Sequence, residues 1–256
     1  MTDTVKTDSG DSLVRVHTTA GDFTVRLYGD TPAHRDNFLR LAREHYYDST
    51  LFHRVIRNFM IQAGDPDSRN AAPGQRLGGG GPDYKLDAEI VFPGHFHKRG
   101  ALAAARQGDQ VNPLRQSSGS QFYIVTGKVM DSTEMAQIER HMLGAAQQRT
   151  FNELVNAHRQ EIMAMQQAGN QAALENLRQQ LIAETERLTA QNPPVMTPEM
   201  KQAYTTVGGT PHLDGDYTVF GEIVDGMDTV ERIEAAETDR ADRPRQDIRI
   251  LSMEVL

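Results

Sequence analysis

A chain of 256 residues, 38% hydrophobic and 24% charged, has the composition of an ordinary globular protein with one large domain or a domain plus a sub-domain. The net charge of −8 and the scattered lysines and arginines argue against nucleic-acid binding, which requires a basic face. The absence of cysteine excludes disulfides and thiolate chemistry. No run of about 18 apolar residues predicts a membrane span.

The beginning of the chain is polar and mixed in charge. It lacks the basic and apolar regions of a signal peptide. We therefore predict a flexible N-terminal segment over residues 1–11 and a cytoplasmic protein, although a trimmed exported form would have the same sequence.

Hydrophobic periodicity predicts several short strands and two short helices. Apolar and polar residues alternate over 13–17 and 23–27, with a turn sequence between them, which indicates a β-hairpin. Thr31 before Pro32 is typical of a helix start. Further β-type runs cover residues 51–56, 59–63, 120–126, 217–224 and 248–256, and a second helix is predicted at 227–235.

Residues 65–94 form a long stretch rich in Gly, Pro, Asp and Asn. Loops of this length in compact domains are usually functional. The run Gly78–Gly81 is not a phosphate-binding loop, because the Gly-Lys-Ser/Thr ending and the strand–helix context are absent.

The composition changes abruptly after Asp131, where Gly becomes rare and Ala, Gln, Glu, Met and Leu dominate as far as Tyr204. Asp131 and Thr150 each begin a capping-box pattern, which predicts two helix starts. Apolar stripes at helical spacing comprise Leu154, Ile162 and Met165, with His158 among them, and Leu174, Leu177, Leu181 and Leu188. We interpret this region as a helical hairpin with extra turns at both ends.

Three segments carry a specific resemblance to a known family. Residues 52–65, FHRVIRNFMIQAGD, closely resemble the first cyclophilin signature, and residues 119–126 and 212–221 resemble the second and the third. The chain is thus similar to cyclophilin-type peptidyl-prolyl cis/trans isomerases over 13–131 and 206–256. The resemblance implies a mainly β fold with α-helices, an eight-stranded antiparallel β-barrel capped by two helices, to which this chain adds the helical hairpin.

The implied domain organisation interrupts one domain by another. An isomerase domain covers residues 12–131 and 205–256, and a helical insertion covers residues 132–204. Insertions in surface loops add little to the loop-closure entropy, so they are readily tolerated.

The implied reaction is rotation about X–Pro peptide bonds, which is slow because amide resonance gives a barrier of about 18–20 kcal/mol. No bond is broken, so neither a cofactor nor a metal ion is required. A fixed cation that hydrogen-bonds the prolyl nitrogen stabilises the twisted state. By resemblance, Arg54 is this catalytic cation and Gln62 binds a substrate carbonyl. The alternative for Arg54 is an ordinary surface ion pair.

The proline ring requires an apolar pocket. By resemblance, Phe59, Met60 and Leu213 form it, and Tyr123 stands where the family more often has Phe. Strand alternation places Met60 and Gln62 on one face. The remaining residues implied in substrate binding are Ala105, Arg106, Gln121, His212 and Tyr217. His95 and His97 lack a third ligand at convincing spacing, so we predict no metal site there.

The expected substrates are proline-containing peptides and unfolded proteins, and we expect no nucleic-acid or membrane partner. A binding module that only holds a proline segment is a second hypothesis, which the presence of Arg54 and Gln62 disfavours. For the insertion two interpretations stay open. Its methionine-rich stripes suit a protein-binding arm, or the hairpin packs only within the protein.

Overall fold

The computed structural model describes residues 10–194 and 196–256, so the predicted N-terminal segment lies outside the described residues except for its positions 10 and 11. The strands are β1 (Ser12–Thr18), β2 (Gly21–Leu27), β3 (Arg54–Ile56), β4 (Met60–Ala63), β5 (Lys85–Leu86), β6 (Ala101–Ala104), β7 (Ser117–Ser118), β8 (Phe122–Val125), β9 (Val219–Asp225) and β10 (Ile250–Val255). The helices are α1 (Pro32–Arg43), α2 (Ser132–Ala157), α3 (Arg159–Gln167), α4 (Gln171–Gln191), α5 (Pro198–Thr206) and α6 (Met227–Glu234).

Eight of the strands form one antiparallel sheet in the order β10-β1-β2-β9-β6-β8-β4-β3. The sheet curls, and the backbone N–H of Phe52, just before β3, donates to the carbonyl oxygen of Ile248, just before β10, so the two edges of the sheet approach each other. Within β3, the N–H of Val55 donates to the carbonyl oxygen of Asp242. Helix α1 packs against β10, and α6 packs against β2, β3 and β4. The predicted eight-stranded antiparallel architecture with two packed helices is confirmed.

The core lies between the concave face of the sheet and these two helices. Its members include Phe23, Leu27, Phe38, Leu41, Phe122, Ile124, Val230 and Ile233. Strands β1, β2, β4, β6 and β8 contribute alternate residues to this core, because successive side chains of a strand point to opposite faces. The opposite face of β4, β6 and β8 is therefore available for the candidate site.

Strand β6 was not predicted by periodicity. Its sequence, Ala-Leu-Ala-Ala, contains mainly alanine, which is depleted in strands. All four residues are buried, since β6 is covered on both faces at the centre of the sheet. Close packing of neighbouring strands therefore prevails over intrinsic propensity here.

The capping box at Asp131 exists, because its side chain accepts hydrogen bonds from the backbone N–H groups of Thr133 and Glu134 at 2.8 and 2.9 Å. The second predicted box at Thr150 is wrong. Thr150 lies inside α2, which continues as far as Ala157. The preceding alanine, glutamine and arginine residues favour helix, so the chain does not adopt the extended conformation that a cap requires.

The chain divides into two compact units. One comprises the chain up to Met130 together with Gln202–Leu256, and the other comprises Asp131–Lys201. In the second unit, called the helical unit below, α4 packs against both α2 and α3. None of the helices in the described ranges combines the length and apolar character that a membrane crossing requires.

Candidate active site

A second apolar cluster lies on the face of the sheet opposite to the core. Its buried members are Met60, Ala101, Ala103, Tyr123, Val125 and Val219. Phe59, Leu213 and Tyr217 pack against them and remain partly exposed. A partly exposed apolar cluster beside charged residues is typical of a ligand site rather than of a core.

The candidate catalytic residues lie in one row across three strands. Arg54 on β3 is paired with Gln62 on β4, and Gln62 is paired with Tyr123 on β8. Tyr123 is in turn paired with Ala103 on β6. Paired residues of antiparallel strands project from the same face, so this register brings a cation, an amide and an aromatic ring together.

A cavity of about 610 Å³ lies over this row. Nine of the residues selected from the sequence line it: Arg54, Phe59, Met60, Gln62, Ala105, Arg106, Tyr123, Leu213 and Tyr217. Two do not, Gln121 and His212. The cavity therefore joins residues from all three signature segments.

Arg54 stands at the polar side of this cavity. Its Nη1 donates to Gln62 Oε1 at 3.4 Å, and its Nε lies 3.8 Å from Asp242 Oδ2. The Arg54 side chain is 42% exposed, so the ion pair with Asp242 contributes little to stability. A guanidinium has five N–H donors, and these two contacts leave capacity for a substrate acceptor.

Gln121 orients Gln62 from outside the cavity. Gln121 Nε2 donates to the carbonyl oxygen of Gly80 at 2.7 Å, so its Oε1 is the atom that accepts from Gln62 Nε2 at 3.0 Å. The same arrangement turns Gln62 Oε1 towards Arg54. One N–H of the Gln62 amide is used by Gln121, and the second is available for a carbonyl group.

Arg106 supports Tyr217 at the apolar side. Its guanidinium carbon lies 4.4 Å from the centre of the Tyr217 ring. Arg106 donates to Asp216 O at 2.8 Å and to Asp109 Oδ1 at 2.6 Å, and its side chain is 5% exposed. Because the arginine is so fixed, its cation–π contact holds the aromatic ring in place.

Burial shifts the pKa of two groups close to the cavity. The His212 ring stacks on Phe59 with ring centres 5.5 Å apart, and partial burial lowers the pKa of His212. Burial raises the pKa of Tyr123 far above its usual value, so its hydroxyl stays protonated. The Tyr123 ring on the apolar side of the cavity is therefore uncharged.

The sequence pattern did not identify one wall of the cavity. This wall is formed by His53, Gly74, Gln75, Arg76, Leu77, Gly78, Asp239, Ala241 and Arg243. The glycine-rich stretch was expected to be functional as a whole, without a particular residue. The stretch 239–243 reads only as a charged turn, and no signal in the sequence connects it with Arg54.

Comparisons with known proteins identify the family of this chain. The sequence model of the family "Cyclophilin type peptidyl-prolyl cis-trans isomerase/CLD" matches residues 13–142 and 130–255. A crystal structure of a cyclophilin-type peptidyl-prolyl cis-trans isomerase from Cryptosporidium parvum superimposes with a TM-score of 0.55 at 21% identity, covering 96% of this chain and 98% of that one. A second structure of that enzyme, determined in the presence of the dipeptide Ala-Pro, gives a TM-score of 0.54 over 95% of this chain and 98% of that one, again at 21% identity. At this identity the likeness concerns the fold.

Two bacterial relatives extend the likeness over nearly the full sequence. A protein of Staphylococcus haemolyticus named as a peptidyl-prolyl cis-trans isomerase is 30% identical over 243 residues, 94% of this chain and 90% of the relative. A protein of Staphylococcus aureus with the same name is 30% identical over 248 residues, 96% of this chain and 92% of the relative. The chain belongs to the cyclophilin-type peptidyl-prolyl cis-trans isomerases, the enzymes that accelerate rotation about X–Pro peptide bonds.

Proposed function

We propose that Arg54 is the catalytic residue of this isomerase and that Phe59, Met60, Tyr123 and Leu213 hold the proline ring of the substrate. In the planar amide the lone pair of the prolyl nitrogen is delocalised, and it becomes localised when the bond is twisted. A guanidinium that donates to this nitrogen binds the twisted state better than either planar state. Such differential binding lowers the barrier.

The neighbouring amide completes the arrangement. Gln62, oriented by Gln121, donates its second N–H to a carbonyl of the substrate next to the proline. The proline ring is held in the apolar cluster while the other side of the X–Pro bond turns. Ala105 and Arg106 lie along the cavity for the residues that precede proline, and Tyr217 closes its apolar side.

The observation that supports this function most strongly is the cross-strand row of Arg54, Gln62 and Tyr123 beneath one cavity. The substrates are proline-containing peptides and unfolded proteins, and the acceleration assists folding. The related C. parvum enzyme, whose structure was determined in the presence of Ala-Pro, supports this substrate class.

Arg54→Ala tests the assignment, with Arg57→Ala as its control. Arg57 is exposed, lies three residues further along the chain, and does not line the cavity. We expect Arg54→Ala to lower kcat/KM for a short proline peptide by roughly 100-fold or more, the effect of removing one transition-state donor. Arg57→Ala retains the wild-type value. The exchange between cis and trans peptide, followed by NMR, gives the rates.

The same experiment separates catalysis from simple binding. If the protein only held proline segments, the wild type would bind the peptide without accelerating its exchange. Full activity of Arg54→Ala would show that another group stabilises the twisted bond. The fold of the variant is checked by circular dichroism, and we expect no change because Arg54 is half-exposed and weakly paired.

For the helical unit we propose that it binds an apolar segment of an unfolded substrate. A groove of about 510 Å³ lies between α2, α3 and α4, and we call it the helical groove. Its apolar lining consists of Phe151, Val155, Ile162, Leu174, Leu177 and Leu181, and its polar lining of Gln166, Gln171, Glu175 and Arg178. Four of the apolar residues are only partly buried, so a ligand reaches them. Unfolded chains expose both X–Pro bonds and apolar side chains, which fits a protein that has both sites.

Two neighbouring substitutions test this proposal. Ile162→Asp places a charge in the helical groove, whereas Met163→Asp places it on a side chain that is 48% exposed and outside the groove. The ligand is a labelled apolar peptide without proline, and its affinity is measured by fluorescence anisotropy. We expect Ile162→Asp to weaken binding about tenfold, because an unpaired charge disfavours an apolar contact. Met163→Asp binds like the wild type.

Two outcomes would contradict the proposal. If the wild-type protein does not bind the peptide, the groove only reflects the packing of the helices on one another. If Ile162→Asp and Met163→Asp bind equally well, the binding surface lies elsewhere.

A further inference from the structure

Four buried polar side chains form a continuous chain of hydrogen bonds behind the proline pocket. The Tyr123 hydroxyl lies 2.9 Å from His97 Nε2, and His97 Nδ1 lies 2.9 Å from Asp214 Oδ1. The Tyr204 hydroxyl lies 2.6 Å from Asp214 Oδ2. The side chains of His97 and Asp214 are 0% exposed, Tyr204 is 0% exposed and Tyr123 is 5% exposed.

The direction of these hydrogen bonds follows from the carboxylate. Asp214 also accepts from the backbone N–H of His97 at 2.8 Å, so it has three donors, as an ionised carboxylate requires in a buried position. The Nδ1 of His97 is therefore a donor. In a neutral imidazole Nε2 is then the acceptor, and the hydroxyl of Tyr123 donates to it.

Both ends of this chain are held by packing. The Tyr204 ring lies edge-on to Phe96 with ring centres 5.6 Å apart. It also passes over Gly209, where a Cβ would lie 2.5 Å from the ring, so no larger residue fits beneath it. At the other end, the Tyr123 ring lies edge-on to Tyr217 at 5.9 Å and therefore reaches the proline pocket.

We propose that His97 and Tyr204 are positioning residues of the proline pocket, which act through Asp214 and the Tyr123 hydroxyl to fix the ring of Tyr123 as the wall against the substrate proline. This inference rests on the proposed pocket. It also explains why a tyrosine is compatible with an apolar wall, since His97 binds the hydroxyl that would otherwise be buried without a partner. Supporting groups of this kind hold a binding residue in its productive orientation.

The test replaces His97 by Asn. The amide nitrogen of Asn takes the place of Nδ1 and keeps a donor for Asp214, while nothing remains at the place of Nε2. We expect His97→Asn to raise KM for a short Ala-Pro peptide about tenfold, with less than about twofold change in kcat, because the Tyr123 hydroxyl loses its buried partner. His95→Asn is the control, since His95 binds Asp30 and does not line the cavity.

A double-mutant comparison distinguishes positioning from support of the fold. In the background of Tyr123→Phe, His97→Asn has no hydroxyl to leave unpaired, so we expect it to change KM by less than about twofold. An equally large increase in both backgrounds would overturn the proposal, as would an unchanged KM in His97→Asn alone.

Tyr204→Phe provides an independent variant, because it removes one hydroxyl and keeps the ring. We expect KM to rise about threefold at constant kcat, since one hydrogen bond to Asp214 is lost. An unchanged KM would exclude Tyr204 from the positioning chain, and this variant decides the question if His97→Asn does not fold.

Tyr123→Ala tests the proposed pocket separately from the positioning residues behind it. If it leaves KM unchanged, Tyr123 is not a wall of the pocket and the proposed site is wrong in that respect.

Discussion

Besides His97, two histidines are buried in the unit that contains the sheet, which we call the barrel unit. His34 is 2% exposed and lies 2.7 Å from Glu89 and 2.9 Å from Ser117, and His53 is 4% exposed beside the candidate catalytic arginine. Burial lowers the pKa of both, although nearby carboxylates act in the opposite direction. In the unfolded chain each imidazole returns to its ordinary pKa of about 6.5.

The folding equilibrium is therefore expected to depend on pH. Between pH 6.5 and the lowered pKa of the folded state, the unfolded chain binds more protons than the folded chain, so stability falls as the pH falls. Each histidine that stays neutral contributes a loss of up to about 1.4 kcal/mol per pH unit. Urea titrations at pH 7 and pH 5 measure the difference.

Substitution identifies the groups that are responsible. His34→Asn removes one buried imidazole and is expected to reduce the loss between pH 7 and pH 5. His45→Asn, at a side chain that is 73% exposed, is expected to leave it unchanged. The same free energy of unfolding at both pH values in the wild type would contradict this explanation.

At the scale of elements, the first turn of α2 depends on one side chain. Asp131 Oδ1 accepts from two backbone N–H groups, and the Asp131 backbone N–H donates to Glu134 Oε2 at 3.1 Å. We expect Asp131→Ala to destabilise this turn by about 1 kcal/mol, the usual value of an N-cap. Amide hydrogen exchange at Thr133 and Glu134 is then roughly fivefold faster.

Asp131→Ser is the matched variant, because serine also caps helices and retains most of the protection. The start of α4, where Asn170 accepts from the Ala173 N–H at 3.1 Å, is the internal reference and is expected to exchange as before. Equal exchange in Asp131→Ala and Asp131→Ser would show that the side-chain cap contributes nothing measurable.

The elements also show which parts of the fold a sequence can predict. The β1–β2 hairpin, α1 and α6 follow from local periodicity and from helix-start residues, and all three are confirmed. Strand β6 was not predicted, because its burial depends on neighbours that are distant in the sequence. Thr150 resembles a cap only locally, and the helix-forming residues before it continue α2.

The candidate site likewise has residues that the sequence predicts and contacts that it does not. Signature motifs named Arg54, Gln62 and Tyr123 as candidate site residues, whereas the register that pairs Gln62 with Tyr123 joins distant parts of the chain and is a finding of the structure. The contact between His97 and Asp214 joins residues 117 positions apart, and no sequence pattern predicts it. Tyr123 indicated such a contact, because its buried hydroxyl requires a hydrogen-bond partner, but the sequence does not identify which residue that partner is.

For the whole molecule, the two chain segments that lead into and out of the helical unit lie side by side, and we call this pair of segments the narrow root. The backbone N–H of Met130, the last residue before this unit, donates to the carbonyl oxygen of Tyr204 at 3.0 Å. Lys128 O accepts from the N–H of Gly209 at 3.2 Å. The chain therefore leaves and re-enters the barrel unit at adjacent points, and the strands before and after the helical unit, β8 and β9, both pair with β6.

This narrow root has a consequence for synthesis on the ribosome. Strand β1 pairs with β10 at the far end of the chain, and β2 pairs with β9, so the first hairpin emerges long before its partners are translated. The helical unit makes its contacts among α2, α3 and α4 and is complete earlier. Local contacts form faster than distant ones. We therefore expect the nascent chain to carry a folded helical unit while the barrel unit is still incomplete, and the candidate site to be assembled last.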